Sequence, residues 1–213
     1  MSGYNQDGAC AVLALIVERV VWVAFAGDCR AVLARTKLDK KSQKCEVKGI
    51  QLTKDHTPIM LAERQRIESK GGRVVDGRVN GILGVSRSFG DAKVKKAGVI
   101  SQPDLMKFTI SAEDRLLILA CDGLWGVFSP QDAVDFVVRE IKQAWQHELN
   151  NPVEENPTKL LEPKESMEQI VCRKATTRLI REAVMTRGSK DNTTAVVVLL
   201  DQAENIFKLD LAS

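Results

Sequence analysis

Apolar residues in this chain are bunched into runs, and the runs predict its elements. Residues 116–121 (Leu-Leu-Ile-Leu-Ala-Cys) are unbroken, as in a strand buried on both faces. That run ends in Asp122 and Gly123: a carboxylate held at a strand end, beside a glycine that lets the backbone turn away. Residues 10–17 and 20–26 are apolar around Glu18-Arg19 and predict a hairpin, although Glu-Arg is not a favoured turn pair. Gly27-Asp28 closes the second of these strands, and residues 30–33 resume a short one. Residues 195–200 predict a second fully buried strand, preceded by Asp191-Asn192.

Helical spacing appears in three places. Leu61, Arg64 and Ile67 share a face, with Asp55 or Thr57 as the expected cap and Gly71-Gly72 as the stop. Ser129-Pro130-Gln131-Asp132 has the form of a helix start, and Val134, Val137, Val138, Ile141 and Trp145 follow as one apolar stripe. A third helix is expected over 166–187, with Met167, Ile170, Val171, Ala175, Leu179 and Ala183 inward and Gly188 ending it. Residues 73–79 alternate around an Asp76-Gly77 turn, and the glycine-rich stretch 81–91 predicts a tightly packed strand and bend. Residues 37–48 are Lys-rich and expected as a solvated loop, 147–165 as an exposed mobile insertion, and 202–211 as peripheral. Strands at both ends with helices between them indicate an α+β or layered α/β domain.

Composition narrows the function classes. At 213 residues the chain fits a single domain, and a net charge of +3 argues for neither nucleic acid nor an anionic membrane as partner. No apolar run reaches bilayer length, and no secretory leader is recognisable. The five cysteines are scattered without close pairing, which fits thiols in a reducing compartment, the cytoplasm or nucleus.

Three acids stand beside glycine or asparagine at apolar strand edges: Asp28, Asp122 and Asp191. Each is either an ordinary turn residue or an oxygen donor for a hard cation such as Mg²⁺ or Mn²⁺. His56, in an Asp-His-Thr-Pro turn, reads as a structural hydrogen-bonding residue ahead of a catalytic base. The chain has no Gly-x-Ser-x-Gly elbow and no P-loop, and its two histidines do not make a His-rich metal site. A haloacid-dehalogenase-type phosphatase needs a second Asp two residues after the first, where this chain has Leu124.

Taken together, seven segments resemble the metal-dependent protein serine/threonine phosphatases of type 2C. They are Gly-Asp-Cys-Arg-Ala-Val from Gly27, Leu-Thr-Lys-Asp-His-Thr-Pro from Leu52, Glu-Arg-Gln-Arg-Ile-Glu-Ser-Lys-Gly-Gly from Glu63, and Gly-Val-Ser-Arg-Ser-Phe-Gly-Asp from Gly84. Gln102-Pro103-Asp104, Leu-Ala-Cys-Asp-Gly-Leu-Trp from Leu119 and Ser-Lys-Asp-Asn-Thr-Thr from Ser189 complete the set in family order. The resemblance implies a layered α-β-β-α sandwich of two mainly antiparallel sheets with flanking helices and a binuclear Mg²⁺/Mn²⁺ centre. It implies that a metal-bridging water attacks phosphoserine or phosphothreonine of a phosphoprotein substrate, with no covalent enzyme intermediate. Asp122 and Asp191 match two metal-binding aspartates, and Asp28 matches a contributor to a weaker third site. That third site also uses an Asp directly after the Trp, and this chain has Gly126 there.

The family's phosphate-gripping Arg and its Asp-Gly-His-Gly-Gly motif have no counterpart here. The chain is therefore expected to be a carboxyl-terminal, incomplete part of the catalytic domain, short of the bridging metal ligand and weak or inactive alone. No catalytic residue besides the metal aspartates is identified in it. Its strand 10–17 is expected to expose apolar residues and to associate, where a complete domain would be a monomer. A non-catalytic, phosphatase-like binding or regulatory module is the alternative.

Overall fold

The computed structural model describes residues 7–38, 45–151 and 165–200. In chain order come strands β1 (Gly8–Ala9), β2 (Ala11–Val17), β3 (Val20–Ala26), β4 (Arg30–Leu38) and β5 (Cys45–Gln51), then helix α1 (Leu61–Ser69). Short strands β6 (Val74–Val75), β7 (Arg78–Val79) and β8 (Phe89–Gly90) and helix α2 (Ala92–Lys95) precede β9 (Asp104–Thr109) and β10 (Asp114–Ala120). The turn of helix α3 (Asp122–Trp125) leads to α4 (Pro130–Asn150), α5 (Met167–Arg181) and β11 (Ala195–Leu199). A single π-helical turn, Glu182–Thr186, extends α5. This is an α+β fold. The chain falls into two compact units: one takes the chain up to Ala31, Gln51–Ile110 and Leu119–Asp122, the other Val32–Ile50, Ser111–Ile118 and the chain from Gly123 on.

In the first unit β2, β3 and β9 form an antiparallel sheet in that order. The predicted hairpin is present, with Val17 opposite Val20 and Glu18 taking the left-handed turn conformation (φ 53°) that a Gly or Asn would adopt more easily. Because side chains alternate, register assigns the faces. Val21, Val23 and Phe25 are buried on one. On the other, Leu13, Ala24 and Leu105 lie in one cross-strand row and Leu15, Trp22 and Lys107 in the next. Leu13, Leu15 and Leu105 are 59%, 54% and 69% exposed. The exposed apolar strand expected from the sequence is thus present. Elsewhere in this unit Ile67, Val79, Val94, Ala97 and Val99 form a small core, and β6 and β7 pair across Asp76 and Gly77, both at positive φ.

The second unit is organised on a four-stranded sheet in the order β11-β10-β4-β5. The unbroken apolar run is β10, and Leu116 to Ala120 are all buried, as a strand covered on both faces requires. Ser129 caps α4, its hydroxyl accepting the Asp132 N–H. Ser166 caps α5 in a reciprocal box with Gln169. Val134, Val137, Val138 and Ile141 are buried, and α4 packs along α5, which packs on β11.

Four expectations change. β11 is not fully buried: among the described residues it is an outer strand of the sheet, and Val196 is 53% exposed. Neither Asp55 nor Thr57 caps α1, which starts after Met60 without a side-chain cap, because Asp55 is held by Arg30. The glycine-rich stretch holds a strand only at Phe89–Gly90. Residues 37–38 and 45–48 continue β4 and β5 and residues 147–150 continue α4. The rest of the expected loop (39–44), most of the expected insertion (152–164) and the 202–211 tail lie outside the described residues.

Candidate functional site

The turn carrying Asp28 is clamped at several points within the first unit. Gly27 sits at φ +99°, and a Cβ there would fall 2.1 Å from Cys10 Sγ, so the position requires glycine twice over. The Gly27 N–H donates to His56 Nδ1 at 3.2 Å, and the His56 N–H donates to the Gly27 carbonyl at 2.9 Å. With Nδ1 accepting, the ring proton resides on Nε2, which donates to Asp104 Oδ2 at 3.1 Å. His56 is buried and stacks on Phe25 at 5.2 Å. Both ring nitrogens are therefore engaged in structure, which removes His56 as a catalytic base. Two residues beyond Asp28 the pattern repeats: Arg30 grips Asp55 with Nε and Nη2 at 2.8 and 2.7 Å. The two family-like motifs at 27–32 and 52–58 thus hold each other by an imidazole and a guanidinium.

Behind His56 lies a network that spacing alone did not reveal. Arg87 bridges Asp104 (2.6 Å) and buried Glu63 (2.7 Å), while Arg66 and Ser86 also donate to Glu63. Burial pushes the Glu63 carboxyl up, but the Arg66, Arg87 and Ser86 bonds outweigh it and hold its pKa well below the carboxylate range. The visible signal was the Glu-x-x-Arg spacing, which puts both residues on one face of α1.

Asp28 is half-buried and Asp122 exposed, both in the first unit. Burial first, then Asp28 and, more weakly, Asp122 push the Cys29 thiol up to about 12, so both carboxylates act on one neighbourhood. Cys10, hydrogen-bonded to Asp28, is likewise raised to about 12, chiefly by burial. Asp191 belongs to the second unit and is exposed, its Oδ1 accepting the Asn192 N–H at 2.7 Å. Within that unit Ser189 Oγ donates to the Gly123 carbonyl at 2.7 Å, and a Cβ on Gly123 would fall 2.4 Å from the Asn192 carbonyl. The residue after Asp122 is therefore seated on the loop that carries Asp191.

Asp28, Asp122 and Asp191 are donors of the type that Mg²⁺ or Mn²⁺ accepts. No group of three His, Cys, Asp or Glu suited to a metal occurs among the described residues.

Residues 3–193 match the family model described as protein phosphatase 2C. The chain belongs to the protein phosphatase 2C family. It is 40% identical over 203 residues to rice (Oryza sativa subsp. japonica) probable protein phosphatase 2C 67, covering 92% of this chain and 48% of that protein. It is 38% identical to the mouse (Mus musculus) integrin-linked kinase-associated serine/threonine phosphatase 2C, covering 91% of this chain and 45% of that protein. In fold it resembles the crystal structure of serine-threonine phosphatase 2C from Toxoplasma gondii, with a TM-score of 0.65 and 22% identity over 90% of this chain and 58% of that one. The chain spans about half the length of the curated relatives it matches.

Proposed function

We propose that this phosphatase 2C family chain contributes part of the Mg²⁺/Mn²⁺ site of a protein serine/threonine phosphatase. Asp122 and Asp191 are its metal ligands and Asp28 an auxiliary one. The observation that carries this reading is the seating of Gly123 on the 189–193 loop, which ties the residue after one candidate ligand to the loop of the other. The clamp on Gly27 supports Asp28 in the same way, by fixing the backbone from which its carboxylate projects. The substrate class is phosphoserine and phosphothreonine in proteins. Without a counterpart of the family's Asp-Gly-His-Gly-Gly motif, the chain alone is expected to bind metal weakly and turn over little or no substrate.

Electron paramagnetic titration of Mn²⁺ into the 1–213 chain, alongside a phosphopeptide hydrolysis assay, tests this. The expected result is weak Mn²⁺ binding, reduced further by Asp122→Asn and by Asp191→Asn, with negligible hydrolysis. Mn²⁺ affinity indifferent to both substitutions would remove the ligand assignment, and brisk Mn²⁺-dependent hydrolysis would remove the incomplete-site reading. The lack of the family's phosphate-gripping Arg and Asp-Gly-His-Gly-Gly motif in this sequence supports a second reading, a non-catalytic binding or regulatory module. A stable complex with a phosphoprotein that persists in EDTA, without hydrolysis on adding Mn²⁺, distinguishes it.

A further inference from the structure

Helices α4 and α5 border a cavity of about 230 Å³ with a cationic wall. His147 comes from α4, and Arg173, Lys174, Arg178 and Arg181 come from α5. The α5 positions fall on one side of that helix, where four like charges repel unless something holds them. Three glutamates do. Glu140, buried on α4, accepts from Arg178 Nη1 at 2.7 Å. Glu148, also buried on α4, accepts from Lys174 Nζ and faces His147 Nδ1 at 3.1 Å. Glu165 takes Arg173 through two bonds, at 3.1 and 2.8 Å.

None of these glutamates lines the cavity. They fix where the cations stand, and among the described residues the wall carries no carboxylate, which lowers the ordering cost of binding an anion. Donors remain to receive one. A guanidinium carries five N–H groups and an ammonium three, and Arg178 commits only Nη1, to Glu140 and Gln143. The Arg181 side chain has no hydrogen bond or ion pair among the described residues and is exposed. Several forked donors around one cavity match a tetrahedral dianion with three acceptor oxygens better than a planar carboxylate, which one fork satisfies. The volume is several times the roughly 30 Å³ of one water, with room for a phosphoryl group and the stem that bears it.

We propose that the α4–α5 cavity binds a phosphate monoester dianion carried on a peptide side chain. The site uses none of Asp28, Asp122 or Asp191, so it stands or falls apart from the metal reading.

The test is calorimetric titration of the 1–213 chain in EDTA with a phosphoserine peptide, the same peptide bearing Ser or Glu, and inorganic phosphate. The phosphoserine peptide is expected to bind at least about tenfold more tightly than the Ser peptide, the Glu peptide and inorganic phosphate, as charged hydrogen bonds imply, and more weakly as salt rises from about 50 to 300 mM. Arg181→Gln and, separately, Arg173→Gln each weaken it several-fold with unchanged circular dichroism, whereas Arg64→Gln, on α1, does not. Inorganic phosphate that binds as tightly as the phosphopeptide, and loses affinity in both variants, assigns the dianion to the free ion instead of a peptide. Equal affinity for the Ser and phosphoserine peptides, or affinity unchanged in both Arg variants, overturns the site.

Discussion

Strands β2 and β10 read almost alike in sequence, Ala-Val-Leu-Ala-Leu-Ile-Val against Leu-Leu-Ile-Leu-Ala, yet they have opposite surroundings. Every residue of β10 from Leu116 to Ala120 is buried, whereas Leu13, Leu15, Ile16 and Val17 of β2 are exposed. An unbroken apolar strand states a requirement for cover on both faces. In β10 that requirement is met, whereas no residue of β2 is buried: Val12 and Ala14 are half-buried on one face, and Leu13, Leu15 and Val17 are exposed on the other. Hydrophobic pattern therefore reports what a strand needs and is silent on what it receives.

Unequal substitutions should expose the contrast most strongly. Leu117→Ala in β10 removes a fully buried side chain and should cost about 2–5 kcal/mol, while Leu15→Ala in β2 should change stability by less than about 0.5 kcal/mol. Urea unfolding of both variants measures the gap, and equal costs would mean that the face bearing Leu15 is covered in solution. Next in size is Glu63→Gln, which strips the charge from a buried carboxylate that Arg66 and Arg87 share. Breaking a buried pair from one side costs about 3 kcal/mol or more. The same group sets a pH dependence: its folded pKa lies below its unfolded value, so its contribution is present above roughly pH 4–5 and is lost as pH falls from there toward the folded value. The Glu63→Gln variant should show a flatter stability profile over that acid limb. Smallest in stability is the pair Leu13→Lys with Leu15→Lys, within about 0.5 kcal/mol for exposed sites. It should nevertheless suppress dye binding and concentration-dependent association in size-exclusion runs, because it interrupts the apolar rows of the β2-β3-β9 face.

Much of the scaffold was legible because it is local. Ser129 and Ser166 cap the helices they precede, and the β2-β3 turn falls at Glu18-Arg19. The α+β class and the family followed from ordered motifs. What was not legible is long-range pairing of charge. Asp55 looks like a helix cap beside Pro58, but Arg30, 25 residues away, captures it. Asp114 looks like one more acid in a Glu-Asp-Arg surface turn, yet it is fully buried. Burial pushes its carboxyl up, and bonds from Arg35 and Ser111 more than offset that and hold it below its ordinary range. The exposure of Val196 was equally hidden, since only the order of the described strands makes β11 an edge. Of the three candidate ligands, sequence identified the carboxylates, and the structure added the clamps beside Asp28 and Asp122.

The π-helical turn at Glu182–Thr186 works as a phase adjustment. Its i to i+5 bond, from the Arg187 N–H to the Glu182 carbonyl at 2.9 Å, houses one residue more than an α-turn. That extra residue rotates the exit of the helix by about 100°. Arg187 is thereby set over the Phe128 ring at 3.7 Å and donates to the Val127 carbonyl. The loop bearing Asp191 leaves the helix from that new heading. Chain length between 182 and 186 is thus a functional variable in its own right: a one-residue deletion would preserve a helix yet misdirect everything that follows it.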